Sequence, residues 1–307
     1  MLKGSYAIIP IRARFIEFTY FIICLIYMPI FHTSPAQSIN LKGRLMTFDR
    51  PKIMGILNLT PDSFYDGGKY TQVEAALIRA QQILDEGADI IDIGAYSTRP
   101  GAKVIDATEE IQRAVPIIEA IASKYPEAIL SIDTFRADVA EACIQAGAHI
   151  INDVSGGTLD EAMFETVARL QVPYILMHMR GTPQTMQSLT DYADVVNEVA
   201  YFLGERIATL RALGLKDIIL DPGYGFAKTI SQNYELLLRV DELHYFGLPI
   251  LGGVSRKSMI YKKLNTTADQ VLTGTTALNT LLLERGVQLL RVHDVKEARQ
   301  LVDLFFT

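Results

Sequence analysis

Four short polar side chains sit inside or at the end of aliphatic runs. Asp92, Asp133, Asn152 and Asp221 belong to DIIDIG, AILSID, HIIND and DIILD. Carboxylates and an amide enclosed by Ile and Leu need donors to satisfy them. Such acceptors suit the edge of a nitrogen heterocycle that shows several N–H groups, a pterin or a purine. A second set is cationic: Arg99, Lys228, Arg256, Lys257, Arg291 and His293. The chain has 29 basic and 35 acidic side chains, a formal net charge of −6. A cationic cluster in an acidic chain suits a phosphate or diphosphate, and the overall balance argues against nucleic acid as a partner. A ligand with a donor-rich ring at one end and a diphosphate at the other would engage both sets.

Several other patterns fall short of a motif. GGVSRKS (252–258) approaches a phosphate loop, but Arg256 stands where G-x-x-x-x-G-K-[ST] needs Gly. GYGFAK (223–228) begins like a dinucleotide loop and ends on Lys228. His149, His178, His244 and His293 are too dispersed for a zinc-binding helix. His149 and His244 read as structural groups, and His293, close to Arg291, as functional. Asp153 and Asp294 read as helix caps. Met177 and Met179 suit core packing and ligand contact equally.

These residues are spaced by a repeating framework. Eight short apolar runs recur: IMGILNL (53–59), ADIIDIG (88–94), AILSID (128–133), HIINDV (149–154), PYILMHM (173–179), DIILD (217–221), PILGGV (249–254) and VQLLRVH (287–293). Continuous runs of this length predict strands buried on both faces, as in a parallel sheet. Segments with helical spacing lie between them. Residues 73–87 place Val73, Ala76, Leu77, Ala80, Ile83 and Leu84 on one face and stop at Gly87. Thr108 is the expected N-cap of a helix over 107–125, and further helices are expected over 191–214 and 294–306. Strict alternation on this scale predicts a single-domain α/β fold, a (β/α)₈ TIM barrel. A doubly wound open sheet is the alternative, but Asn58-Leu59-Thr60-Pro61-Asp62 replaces its usual Gly-rich loop. In a barrel the C-terminal strand ends form the active rim. Every polar group named in the opening pair of sets falls at that end.

The 307 residues are 49% hydrophobic and 21% charged, a globular composition. Two cysteines, Cys24 and Cys143, provide neither a disulfide framework nor a thiolate zinc site and suit the cytoplasm. Residues 1–37 form an apolar extension in which FIEFTYFIICLIYMPIF spans 15–31. It reads as a mis-called start, a signal or an anchor, with membrane contact only if residues 15–31 are native. The organised barrel is expected over 38–307, with Met46 or a position near Ser38 as alternative starts.

GILNLTPDSFYDGG (55–68), DIGAYSTRPGA (92–102), SIDTFRADVAEACIQAGAHIINDVSGG, LMHMRGTPQTMQ, LDPGYGFAK, GGVSRKS and RVHDV occur in this order. This series resembles the signatures of the dihydropteroate synthase family across roughly residues 40–305. The resemblance implies condensation of 6-hydroxymethyl-7,8-dihydropterin diphosphate with 4-aminobenzoate, giving 7,8-dihydropteroate and diphosphate. It implies Mg²⁺ on the diphosphate, with Asn58 as its ligand. Asp133, Asn152, Asp221 and Lys257 would bind the pterin, and Asp92 would support the pterin or metal end. Arg99, Arg291 and His293 would grip the diphosphate, and Asp133 and Asp221 would steady the positive charge that develops. Thr98, Pro100, Phe226 and Ser258 would shape the aminobenzoate site, with Met177 at its edge. A homodimer is also implied. The chain departs from the family at Ala95-Tyr96, where Gly-Glu is common. A pterin-dependent methyltransferase on the same barrel and a non-catalytic pterin-binding homologue remain as alternatives.

Overall fold

The computed structural model describes residues 37–59, 69–96 and 105–306. The apolar run 15–31 and the expected site residues Thr98, Arg99 and Pro100 lie outside the described residues.

Eight strands run parallel: β3 (Lys52–Asn58), β4 (Ile90–Gly94), β5 (Ile129–Asp133), β6 (Ile150–Asp153), β7 (Tyr174–Met177), β8 (Ile218–Asp221), β9 (Leu251–Gly252) and β10 (Leu289–Val292). Their order is β8-β7-β6-β5-β4-β3-β10-β9. The two outer members are joined by one parallel bridge, Leu220 to Ile250, and the Leu220 N–H donates to the Pro249 carbonyl at 2.8 Å. The sheet thereby closes into the expected barrel.

Side chains along a strand alternate between faces, and here the alternation sorts chemistry. Ile91 and Ile93 of β4 pack in the same cluster as the helices, as do Leu130 and Ile132 of β5. Ile90 and Ile129, in the opposite phase, point into the bore. Continuing that phase upward brings Asp92 from β4, and Ser131 and Asp133 from β5. The lower bore is therefore aliphatic and the upper bore polar. Helices α1 (Lys69–Asp85), α2 (Ala107–Lys124), α3 (Ala137–Gln145), α4 (Met163–Leu170), α5 (Val195–Ala212), α6 (Ile230–Leu238), α7 (Ser258–Tyr261), α8 (Leu272–Glu284) and α9 (Val295–Phe305) follow the strands in turn. Gly87 ends the first helical segment at φ +96°, its N–H donating to the Leu84 carbonyl at 2.9 Å. The cap of α2 is Asp106 rather than Thr108. The Asp106 carboxylate accepts from the Glu109 N–H at 2.8 Å, and Thr108 already lies within the first turn.

A hairpin absent from the sequence reading precedes the barrel. β1 (Ser38–Leu41) and β2 (Arg44–Thr47) pair antiparallel around Lys42-Gly43. Both turn residues have positive φ, 52° and 96°, as a two-residue hairpin turn requires. Ile39, Leu41, Met46 and Phe48 pack against Met54, Ile90, Ile129, Ile150, Ile175, Ile219, Leu251 and Leu289, one residue from each barrel strand. The hairpin is thus a stopper for the aliphatic end of the bore. Burial contributes on the order of 1.5–3 kcal/mol for each such side chain.

Candidate active site

The polar end of the bore is organised around Arg291. From β10 its Nε donates to Asp92 Oδ2 at 2.7 Å, and a terminal nitrogen donates to Asp133 Oδ2 at 2.6 Å. Asn152 donates its amide to the same Asp92 oxygen at 3.1 Å. Residues from four strands are thereby tied across the barrel. Burial opposes the charge on Arg291, but Asp92 and Asp133 outweigh it and hold its pKa above the ordinary guanidinium range. Burial pushes the Asp133 carboxyl up to about 7, against the pull of Arg291, with Asp92 adding to the rise. Among the described residues, Asp92 Oδ1 and Ser131 Oγ are buried without a hydrogen-bond partner, and these two residues are register neighbours on β4 and β5. An acceptor left open inside a barrel is a place for a ligand donor or a water.

The second half of the site is the turn after β8. Asp221 is buried at the strand end and accepts from the Gly223 N–H at 2.7 Å. Burial raises its pKa, opposed first by Lys257. Lys257 reaches in from the turn after β9. Its Nζ donates to the Tyr224 carbonyl and lies 4.9 Å from the centre of the Phe226 ring. Burial pulls the Lys257 ammonium down to about 8, against Asp221. Ser258 begins α7 directly after it. His293 lies beyond the end of β10 with Nδ1 3.1 Å from Ser255 Oγ, and its own N–H donates to that oxygen at 3.1 Å. Met177 and Met179 are buried beside Val154, Met186 and Ala227, with Phe135 and Phe226 packed against them, an apolar wall at the mouth. Asn58 ends β3, half-buried, facing the Gly94 position of β4.

Four sequence readings change. Lys228 does not face the mouth; it is buried beneath the turn that contains Asp221. Arg256 is not a free rim cation, because its guanidinium pairs with Asp294. Asp294 therefore serves that pair and makes no side-chain cap bond. Asp153 caps no helix either. It accepts from the Ser155 and Gly157 N–H groups at 2.7 and 2.8 Å and from the Tyr174 hydroxyl at 2.6 Å, which fixes the turn after β6. His149 and His244 are structural as expected. His149 Nδ1 accepts from the Leu130 N–H at 3.2 Å, and His244 Nε2 lies 3.0 Å from the Arg285 carbonyl. At the departure Ala95-Tyr96 both side chains are packed, and the loop that follows lies outside the described residues. Ala95 is buried, and the Tyr96 ring meets Phe135 edge-on at 5.2 Å under the Arg136 guanidinium. Sequence reasoning missed Ser255, which holds His293, and the backbone groups of Gly223 and Tyr224. The Gly-x-Gly spacing after Asp221 was the available sign of a tight turn.

A parallel barrel whose polar rim joins buried acceptors to cations defines an enzyme of the pterin-binding barrel class. Residues 54–293 match the family described as pterin binding enzyme. The dihydropteroate synthase of Escherichia coli K12 is 43% identical over 258 residues, covering 83% of this chain and 91% of that protein. The dihydropteroate synthase of Xanthomonas albilineans, solved with 4-aminobenzoic acid, superposes with a TM-score of 0.81 at 40% identity, covering 88% of this chain and 97% of that one. The Yersinia pestis dihydropteroate synthase, solved in a complex with a sulfonamide drug, gives the same TM-score, identity and coverage. The chain belongs to the pterin-binding enzyme family, among its dihydropteroate synthases.

Proposed function

We propose that the rim described above joins 6-hydroxymethyl-7,8-dihydropterin diphosphate to 4-aminobenzoate, releasing diphosphate, with the following division of labour. The carrying observation is the convergence of Asp92, Asp133, Asn152, Asp221, Lys257 and Arg291 on one bore, with Asp92 Oδ1 left open. Asp133, Asn152 and Asp221 hold the pterin edge, and Lys257 donates to an acceptor of the ring. Arg291 and His293 take the diphosphate. Phe226, Met177 and Ser258, with Thr98 and Pro100, shape the aminobenzoate site, and Arg99 assists on the anion.

The reaction breaks the bond between the pterin methylene carbon and the diphosphate oxygen. That electron pair leaves with diphosphate, where Arg291 and His293 stabilise it. The cation left behind spreads into the reduced pterin, and the carboxylates of Asp133 and Asp221 stabilise it. The arylamine nitrogen is uncharged near neutral pH, so it attacks without a strong base, forms the C–N bond and sheds one proton.

Mg²⁺ fits this donor set as an ion that arrives on the diphosphate. Among the described residues no group of three or more His, Cys, Asp or Glu side chains could hold a metal by itself. Magnesium keeps most of its shell as water and phosphate oxygen and needs only one or two protein ligands. Asn58 would be that ligand, and the ion would supply charge neutralisation for the leaving group.

Purified protein incubated with both substrates and Mg²⁺ should form dihydropteroate, and Asp221→Asn should depress it strongly. No product in the first assay, or full activity in the variant, rejects the reading. A homodimer is part of the same reading. Leu272 and other exposed residues of α8 are the late-barrel face that supports it, and sedimentation would test it. A cytoplasmic setting is supported by Cys143, a buried free thiol. Among the described residues no helix is long and apolar enough to cross a membrane. Cell fractionation tests the setting.

A further inference from the structure

The sequence marks Lys228 as a phosphate cation, and the structure buries it against His178 and two backbone carbonyls. Its exposure is 7%. The Nζ lies 2.9 Å from His178 Nδ1 and donates to the carbonyls of Gly223 at 3.0 Å and Phe226 at 3.1 Å. An ammonium has three N–H bonds, and these three acceptors use all of them. With Lys228 protonated, His178 Nδ1 is the acceptor and its ring proton sits on Nε2. The His178 ring is itself held edge-on by Phe202, 4.8 Å away.

The segment that Lys228 ties down is conformationally demanding. Gly223, Gly225 and Ala227 all have positive φ, at 72°, 82° and 48°. For Ala227 that region crowds the Cβ against the backbone, so something must hold it. Asn233 of α6 grips the same segment from the other side, accepting from the Gly225 N–H at 2.6 Å and donating to the Lys228 carbonyl at 3.2 Å. The chain between these two clamps presents two backbone groups to the bore. The Gly223 N–H goes to Asp221, and the Tyr224 carbonyl goes to Lys257.

We propose that Lys228 is a positioning residue: anchored on His178, it fixes the 221–228 turn so that Gly223 aims Asp221 and Tyr224 aims Lys257 at the pterin. The inference rests on the reading of Asp221 and Lys257 as pterin contacts. Neither Lys228 nor His178 touches substrate in this scheme. Their effect passes through Lys257, which holds the ring before and during reaction, and through Asp221, which holds the ring and also steadies the developing cation, so their loss raises KM through the first and lowers kcat through the second.

The test is steady-state kinetics at a temperature well below melting, with the folded fraction measured alongside. Lys228→Met keeps the length and apolar stem and removes every N–H. Its KM for the pterin diphosphate should rise about 30-fold, a change near 2 kcal/mol at 1.36 kcal/mol per decade, with kcat per folded enzyme lowered as well. A purely structural lysine would lower the folded fraction and kcat and leave KM unchanged, which overturns the proposal. Two further variants decide the matter if Lys228→Met does not fold. His178→Asn keeps an acceptor at the Nδ1 position, and His178→Leu keeps only the bulk. The Asn variant should hold KM within about threefold of wild type, and the Leu variant should raise it about tenfold or more. Equal KM values in the two overturn the proposal. Asp221→Asn run in parallel separates the levels. If it retains the wild-type KM, the site reading fails and the proposal with it. If it raises KM while Lys228→Met does not, only the role of Lys228 fails.

Discussion

At the scale of single residues, the site is a set of charges that burial has displaced from their ordinary ranges. Asp133 is pushed up to about 7 and Lys257 down to about 8. If Asp133 holds the pterin edge as proposed, ionisation frees both of its oxygens to accept and strengthens them as acceptors, so binding should strengthen as pH rises through about 7. An ammonium donates only when protonated, so binding weakens as pH rises through about 8. The ratio kcat/KM for the pterin diphosphate reports the free enzyme and should trace a narrow bell between these limits. Asp133→Asn should flatten the acid limb, and a profile that stays flat from pH 6 to 9 in the wild type would contradict both assignments. Lys257→Ala removes a charged hydrogen bond and should weaken pterin diphosphate binding by on the order of 1.5–3 kcal/mol, read by calorimetry. Unchanged affinity there would place Lys257 outside the pterin contacts.

At the scale of elements, the strand runs and the helical spacings were legible because both depend on local patterning. DIILD shows at once that a buried strand ends in a carboxylate. Pairings made across long sequence distances were not legible. Nothing local to Arg256 announces Asp294, and nothing local to Lys228 announces His178. The hairpin escaped for a related reason. Its four-residue strands carry mixed exposure, and Ile39 and Leu41 count as core only once the barrel floor exists to receive them. Leu41→Ala should cost about 2–5 kcal/mol of stability, as buried leucines do, and leave KM for both substrates unchanged, because the stopper sits at the opposite end from the rim. Chemical denaturation with parallel kinetics measures both. A shifted KM would mean that the floor and the rim are coupled. Gly223→Ala is the contrasting case. A Cβ there would stand 2.0 Å from the His178 carbonyl oxygen, at a φ of +72°. That variant should lose most activity and also melt well below wild type, because the turn backbone must shift to admit the methyl group.

At the scale of the whole molecule, the barrel begins with the hairpin and not with its first parallel strand. Gln37 is the outermost described contributor. Its carbonyl accepts from the Phe48 N–H at 2.8 Å, and its side chain accepts from Gln288 at 2.9 Å. A chain starting at Gln37 should match the full-length protein in melting temperature and turnover. One starting at Met46 discards β1, uncovers the aliphatic floor and should aggregate or melt far lower. Equal stability of the two shortened chains would remove the hairpin from the folding unit.

The single bridge between Leu220 and Ile250 gives the ring a split, like the gap in a key ring. Seven of the eight junctions are ladders, and the eighth has this one backbone bridge and its hydrogen bond, with Lys257 reaching the Tyr224 carbonyl above it. Asp221 follows immediately on one lip of the split, and the turn that carries Lys257 follows the other. Springing the ring would therefore widen the distance between the two proposed pterin contacts, without unfolding either strand. On the proposed reading, a pterin bridging Asp221 and Lys257 would act as a staple across the gap. Amide hydrogen exchange at Leu220 should then be faster than at Leu176 or Ile132 in the free protein, and should slow sharply when the pterin substrate is bound.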